Sequence, residues 1–128
     1  MIELPDTVKA LLDAPTYVVV TTLAKDGRPH STVMWITRDG DDVLFSTLRG
    51  RQKAKNLARD PRVSVSGYDP AKPFSYFTVE GEVTMTEEGG RELIDSLSRK
   101  YNGDDYPVEA PDAVRVVCRV RATKILGR

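Results

Sequence analysis

The sequence predicts a mainly β domain, a small, closed or nearly closed antiparallel barrel of about six strands with peripheral helices. Three observations carry this expectation. Stretches dense in β-branched residues recur along the chain, at 16–23, 30–37 and 113–126, and such side chains suit a pleated, half-buried surface. The pairs Asp26-Gly27 and Asp39-Gly40 are tight-turn signals that separate the first strands. Helical patterns occur three times and never in the regular strand–helix–strand rhythm of a parallel sheet. Short barrels are the usual way for antiparallel sheets to avoid exposed edges.

Taken in order, Asp6 and Thr7 can cap a helix to residue 12, with Val8, Leu11 and Leu12 as its apolar stripe. Residues 16–23, TYVVVTTL, read as a strand buried on both faces. Arg28-Pro29 opens a second strand, 30–37, and the turn at Asp39-Gly40 delivers the chain to a third strand at Val43. That strand meets two hydroxyls, Ser46 and Thr47, and a short loop with Gly50. A helix follows and ends before Asp60-Pro61; Ala54, Leu57 and Ala58 fall at i, i+3, i+4 and form its apolar face. A short strand at 63–65 leads to a loop broken by Gly67, Pro70 and Pro73.

The long strand 74–85 directs Phe77, Val79, Val83 and Met85, with Gly81 among them, to the core. Phe74 and Tyr76 begin its other face. Residues 87–100 form a helix on Leu93, Ile94 and Leu97, with acids in the first turn, where the helix dipole favours them. After an irregular connection at 101–111, the last strand alternates. Val114, Val116, Cys118, Val120 and Ala122 point one way; Arg115, Arg119 and Arg121 point the other, most simply into solvent or else toward the acidic 80–112 segment.

At 128 residues the chain reads as one domain, 1–128. Zero net charge indicates no nucleic-acid or membrane partner, but the charge is unevenly placed. Residues 49–62 hold six cations and one acid, whereas 80–112 hold ten acids and three bases. One cysteine and one histidine leave no disulfide and no zinc ligand set. No apolar run approaches the ~18 residues of a membrane span, and the first residues lack a signal layout. The expectation is a soluble, cytoplasmic, metal-free protein.

The basic cluster is the stretch that points to chemistry. Arg49, Arg51, Lys53 and Lys55 crowd the start of a helix, the end where cations are unfavourable. Two readings stand on charge pattern alone. One is a solvated basic helix start; the other is an anion site, where helix N–H groups and cations converge on a phosphate. RNA is disfavoured, because the cluster lacks interleaved aromatics for base stacking.

The ordered series GRPHSTVMW, DVLFST, RGRQKAKNLARDPRVSV and SYFTVEGEV resembles the pyridoxamine-phosphate-oxidase-like split β-barrel family. Within that family it is most similar to the short branch that uses the deazaflavin coenzyme F420. The resemblance covers about residues 7 to 127, and 43–62 is its most specific piece. It implies a split barrel of the FMN-binding type, working as a homodimer with the cofactor site at the interface. It implies that a flavin or deazaflavin ring lies along His30, Ser31, Val33, Met34 and Trp35. It places the phosphate at Arg51 and Lys53, with hydroxyls from Ser46 and Thr47; Gln52 and Asn56 share this part of the motif, and Phe74 borders the pocket.

Two departures matter. Gln52 stands where the FMN-using oxidases carry an arginine, and the sequence stops at Arg128 without the tail those oxidases use to hold pyridoxal phosphate. Both argue against vitamin B6 oxidation. The resemblance thus implies an oxidoreductase with reduced F420 as hydride donor to a small, electron-poor acceptor. An FMN oxidase or diaphorase and a non-catalytic cofactor carrier are the alternatives. Several residues keep structural readings beside these roles. His30 reads as a turn-adjacent histidine, Trp35 as core or dimer contact, Cys118 as an inert buried thiol, and Tyr101 and Tyr106 as loop anchors or a substrate rim.

Overall fold

The computed structural model describes residues 2–127. Seven strands form one antiparallel sheet: β1 (Val18–Leu23), β2 (Pro29–Met34), β3 (Thr37–Asp39), β4 (Asp42–Leu48), β5 (Arg62–Asp69), β6 (Lys72–Thr86) and β7 (Arg115–Gly127). Their order across the sheet is β2-β1-β5-β6-β7-β4-β3. Three helices accompany them: α1 (Asp6–Asp13), α2 (Gln52–Arg59) and α3 (Gly90–Asn102). Among the described residues no helix is long and apolar enough to cross a membrane.

The sheet is not closed and forms the split barrel that the resemblance implies, with seven strands where about six are expected. The opening and the extra strand have one cause. The stretch 30–37 does not run on as one strand; it leaves the ladder at Trp35 and Ile36 and resumes as β3 on the opposite edge. Met34 and Thr37 are three Cα steps apart, so they lie within about 11 Å. The chain therefore draws the two edges together without hydrogen-bonding them, and the barrel is split along this seam.

Two boundaries also differ. The loop expected around Gly67, Pro70 and Pro73 is a hairpin: β5 runs to Asp69 and β6 begins at Lys72, with Asp69 Oδ1 accepting from the Ala71 amide at 2.9 Å. Pro73 is tolerated because it sits at the beginning of its strand. Helix α3 starts at Gly90 instead of Glu87, leaving Glu92 as the acid of its first turn.

Inward-facing residues of both ends of the sheet, among them Val20, Phe45, Val65, Phe77, Val79 and Val116, are fully buried. Each such side chain contributes roughly 1.5–3 kcal/mol. Val8 and Leu12 of α1 and Leu57 of α2 join that core, and α3 packs Leu93, Ile94 and Leu97 toward β4 and β7. The α1 start lacks the expected side-chain cap; Pro5 occupies the N-cap position.

The seam is clamped from α3. Lys100 Nζ donates to Leu12 O and Ile36 O, both at 2.6 Å. The Tyr101 hydroxyl accepts from the Ile36 amide at 3.0 Å and donates to Thr16 O. Tyr101 is thus an anchor of the fold. Tyr101→Phe would leave a half-buried amide and a carbonyl unpaired and should lower the unfolding free energy by about 1–3 kcal/mol. Urea unfolding measures this, and an unchanged midpoint would show that the hydroxyl does not hold the seam.

Candidate functional site

A cavity of about 250 Å³ opens beside the seam. Val33 and Met34 at the end of β2, with Trp35, form one wall, and Ser46 and Thr47 at the end of β4 form the next. Arg51 and Lys53 enter from the start of α2, Ile94 and Leu97 from α3, and Tyr17, Tyr106 and Arg115 complete the lining. Seven of the residues named from sequence are therefore brought together: Val33, Met34, Trp35, Ser46, Thr47, Arg51 and Lys53.

The local folding explains the convergence. Strand β4 pairs with β7 up to Leu48↔Arg115, which fixes where Ser46 and Thr47 end. Gly50, at φ +95°, then turns the chain into α2 through a conformation that L side chains rarely adopt. Gly90 has the opposite role: a Cβ there would stand 2.5 Å from Arg115 O, so only glycine lets α3 seat this closely on β7.

The α2 end of the cavity carries uncompensated positive charge. Lys53 is 6% exposed, yet among the described residues no oxygen accepts from its ammonium. Burial, and then the neighbouring Arg51 charge, lower its pKa. Arg51 is exposed and also without an ion-pair partner among the described residues. No acid lies in the first turn of α2, Arg51 offers no side-chain cap, and its carbonyl takes the Lys55 amide as the first bond of the helix. The amides of Gln52, Lys53 and Ala54 therefore remain for an anion. Ser46 Oγ accepts from Arg115 Nη1 at 3.3 Å, which leaves its own proton to donate.

The other end is aromatic and electrically neutral. Trp35 stacks on Tyr101 with centroids 5.3 Å apart and planes at 14°, and meets Tyr106 edge-on at 6.3 Å. Arg115 is not a solvated strand residue but meets the acidic 80–112 segment, the other reading of its strand face. Its Nε donates to Glu109 Oε1 at 2.9 Å, its Nη2 lies 2.8 Å from the same oxygen, and its guanidinium sits 4.9 Å from the Tyr106 ring centre. Arg119 is likewise paired, with Asp39 and Asp42; Arg121 is exposed.

The remaining sequence candidates lie elsewhere in this chain. Ser31 bonds Thr21 on the exposed face of β2. Gln52 Nε2 donates to Asn56 Oδ1 at 2.8 Å, and fully buried Asn56 passes the link to Thr22 at 3.0 Å, so this pair ties α2 to β1. Phe74 is 81% exposed and does not line the cavity. His30 pairs with Thr22 across the ladder; its Nδ1 is buried and, among the described residues, without a partner, as is the Thr32 hydroxyl two residues on. Cys118 is buried, which pushes its thiol up to about 12. Tyr106, expected as a loop anchor or a substrate rim, lines the cavity; Tyr17, Ile94, Leu97 and Arg115 were not among the sequence candidates. They come from distant segments, and no local pattern marks them. Among the described residues no group of three or more His, Cys, Asp or Glu side chains could hold a metal ion.

An open, split antiparallel barrel with an anion-ready helix start beside an aromatic wall defines a class of cofactor-binding barrel. The family model "Pyridoxamine 5'-phosphate oxidase" matches residues 4–128. A solved structure described as an F420 reductase is 31% identical, with a TM-score of 0.86 over 96% of this chain and 98% of that one. A conserved hypothetical protein from Mycobacterium tuberculosis is 25% identical, with a TM-score of 0.75 over 98% and 84% of the two chains. General Stress Protein 26 from Bacillus anthracis shares the fold, with 19% identity and a TM-score of 0.72 over 94% and 89%. No curated protein matches. The chain belongs to the pyridoxamine 5'-phosphate oxidase-like split-barrel family. That membership places it among oxidoreductases related to the flavin and deazaflavin enzymes.

Proposed function

We propose that the protein is a reductase that takes a hydride from reduced coenzyme F420 and passes it to a small, electron-poor organic acceptor. The observation that carries this reading is Lys53, a buried side chain whose ammonium has no counter-ion among the described residues, beside free helix amides at one end of a cavity whose other end is aromatic. The residues fit the coenzyme's two chemical parts. Arg51, Lys53, the α2 amides and the Ser46 and Thr47 hydroxyls would hold its phosphate, and Val33, Met34 and Trp35 would border its ring. A bound deazaflavin supplies two-electron hydride chemistry, so the protein's own tasks are position, electrostatics and exclusion of water. The 31% identity to an F420 reductase over nearly the whole chain supports the deazaflavin. So does Gln52: its side chain is committed to Asn56 and adds no charge where FMN oxidases carry an arginine.

The working unit in this reading is a homodimer. Val19 and Val33 pair across β1 and β2, and Tyr68 and Tyr76 across β5 and β6; all four are exposed, and Phe74 is exposed beyond them. Val33 and Tyr17 belong both to the cavity and to the exposed apolar residues. A second copy seated there covers the cavity mouth and is the source of the aromatic side chain at position 74.

Titration of the purified protein with F420 and with FMN tests the cofactor, and the mass of the loaded protein tests the assembly. F420 should bind more tightly, to a species of two chains. Equal or tighter FMN binding overturns the choice of cofactor, and a loaded single chain overturns the dimer.

A further inference from the structure

Arg115 is the one charged side chain at the aromatic end of the cavity, and it is 11% exposed. A guanidinium in such a place is ordinarily a receptor for carboxylates, because its fork donates to two oxygens at once. Here the Nε–Nη2 edge is already occupied. Nε reaches both carboxylate oxygens of Glu109, at 2.9 and 3.1 Å, Nη2 stands 2.8 Å from Oε1, and Nη1 turns to Ser46.

Glu109 is itself held in place. Its carboxylate is 16% exposed, and Arg91 Nη1 lies 3.6 Å from Oε2. Arg91 also grips the same connection through Tyr106 O and Pro107 O and pairs with Asp95, which accepts from the Tyr106 amide at 2.9 Å. The connection between α3 and β7 is therefore strapped down, with Tyr106 against Trp35 and Glu109 against Arg115.

We infer that Glu109 is a specificity-determining residue that cancels Arg115 and so restricts the acceptor to uncharged, planar, conjugated molecules. This rests on the hydride-transfer reading above for the word acceptor, but the selectivity belongs to the cavity. A carboxylate at this end finds the Nε–Nη2 edge of Arg115 taken by Glu109 and its charge cancelled, with only single N–H groups left on Nη1 and Nη2. A neutral carbonyl loses nothing of that kind and keeps the Trp35 and Tyr106 faces. The free cations lie at the α2 end, where the coenzyme phosphate competes for them.

The probes are cinnamamide and cinnamate, which match in shape and differ in charge. Calorimetric titration uses the protein saturated with oxidised F420, which transfers no hydride, so binding alone is read. Cinnamamide should bind at least about tenfold more tightly than cinnamate, a ratio that corresponds to about 1.4 kcal/mol. Glu109→Gln frees Arg115 and should erase or invert that ratio while leaving F420 affinity within about twofold, a change that follows only if charge is what is read. The double variant Glu109→Gln with Arg115→Gln is neutral again and should return the preference for the amide. Cinnamate binding as tightly as cinnamamide to the unaltered protein overturns the inference, and so does a double variant that keeps the Glu109→Gln ratio. If Glu109→Gln does not fold, the unaltered protein and the double variant still decide. Failure of F420 to bind at all would count against the proposed function instead. The two probes are then compared in saturating inorganic phosphate, which masks the α2 end, and the same ratio decides the inference.

Discussion

Replacing Lys53 with alanine is expected to weaken coenzyme binding about tenfold to hundredfold. The Lys53 side chain is buried, and its ammonium is unpartnered among the described residues and beside the free amides of α2, so it can give an anion a charge-assisted hydrogen bond worth roughly 1.5–3 kcal/mol. The fold should not suffer. Burial lowers the Lys53 pKa below its ordinary 10.5, so the folded chain binds this proton less tightly than the unfolded chain does. The resulting destabilisation is present at neutral pH and disappears as pH rises through the unfolded value. Alanine removes it, against which stands the loss of a buried alkyl stem.

An anion reverses the shift in Lys53. Coenzyme binding should therefore take up a proton in the alkaline range, and affinity should fall as pH rises through the lowered pKa. The Lys53→Ala variant should lose that pH dependence. Lys55, exposed and outside the cavity, is the control. Normal coenzyme affinity in Lys53→Ala with loss in Lys55→Ala would place the phosphate on the other side of the helix.

Asn56→Ala should do the opposite: damage the fold and touch binding only through it. Asn56 is fully buried, takes hydrogen bonds from Gln52 at 2.8 Å and Arg59 at 3.3 Å, and donates to Thr22, itself 1% exposed, at 3.0 Å. Alanine leaves the Thr22 hydroxyl buried without that partner and cuts the tie between α2 and β1. The expected loss is about 2–3 kcal/mol, or roughly 10 °C in melting temperature for a domain of this size. Thermal unfolding measures it. A variant that melts normally but fails to bind coenzyme would return Asn56 to the list of direct ligands. The contrast with Lys53 is physical, since Asn56 has partners on both atoms of its amide, whereas no described residue partners the Lys53 ammonium.

What the amino-acid sequence determined by itself was local. β-branched runs and turn pairs located most of the strands, because alternation and turn chemistry are properties of neighbouring residues. The i, i+3, i+4 pattern located α2, and the cations packed at its start marked the anion-ready end of the cavity. Only the tertiary structure decided the rest. The chain leaves one edge strand at Met34 and starts the opposite edge at Thr37, because Ile36 is buried and its backbone is held from α3 by Tyr101 and Lys100, more than sixty residues away. Alternation left open whether Arg115 meets solvent or the acidic 80–112 segment, since the period of a strand says which face a residue takes but not what covers that face. The connection after α3 covers it, and it looked irregular in sequence because its order comes from Arg91, Asp95 and Glu109 rather than from any backbone period. The cationic end of the cavity could be read from one segment because a helix start assembles it from neighbours. The aromatic end needed β1, the seam, α3 and β7 to meet, and contacts between distant segments leave no trace in local pattern.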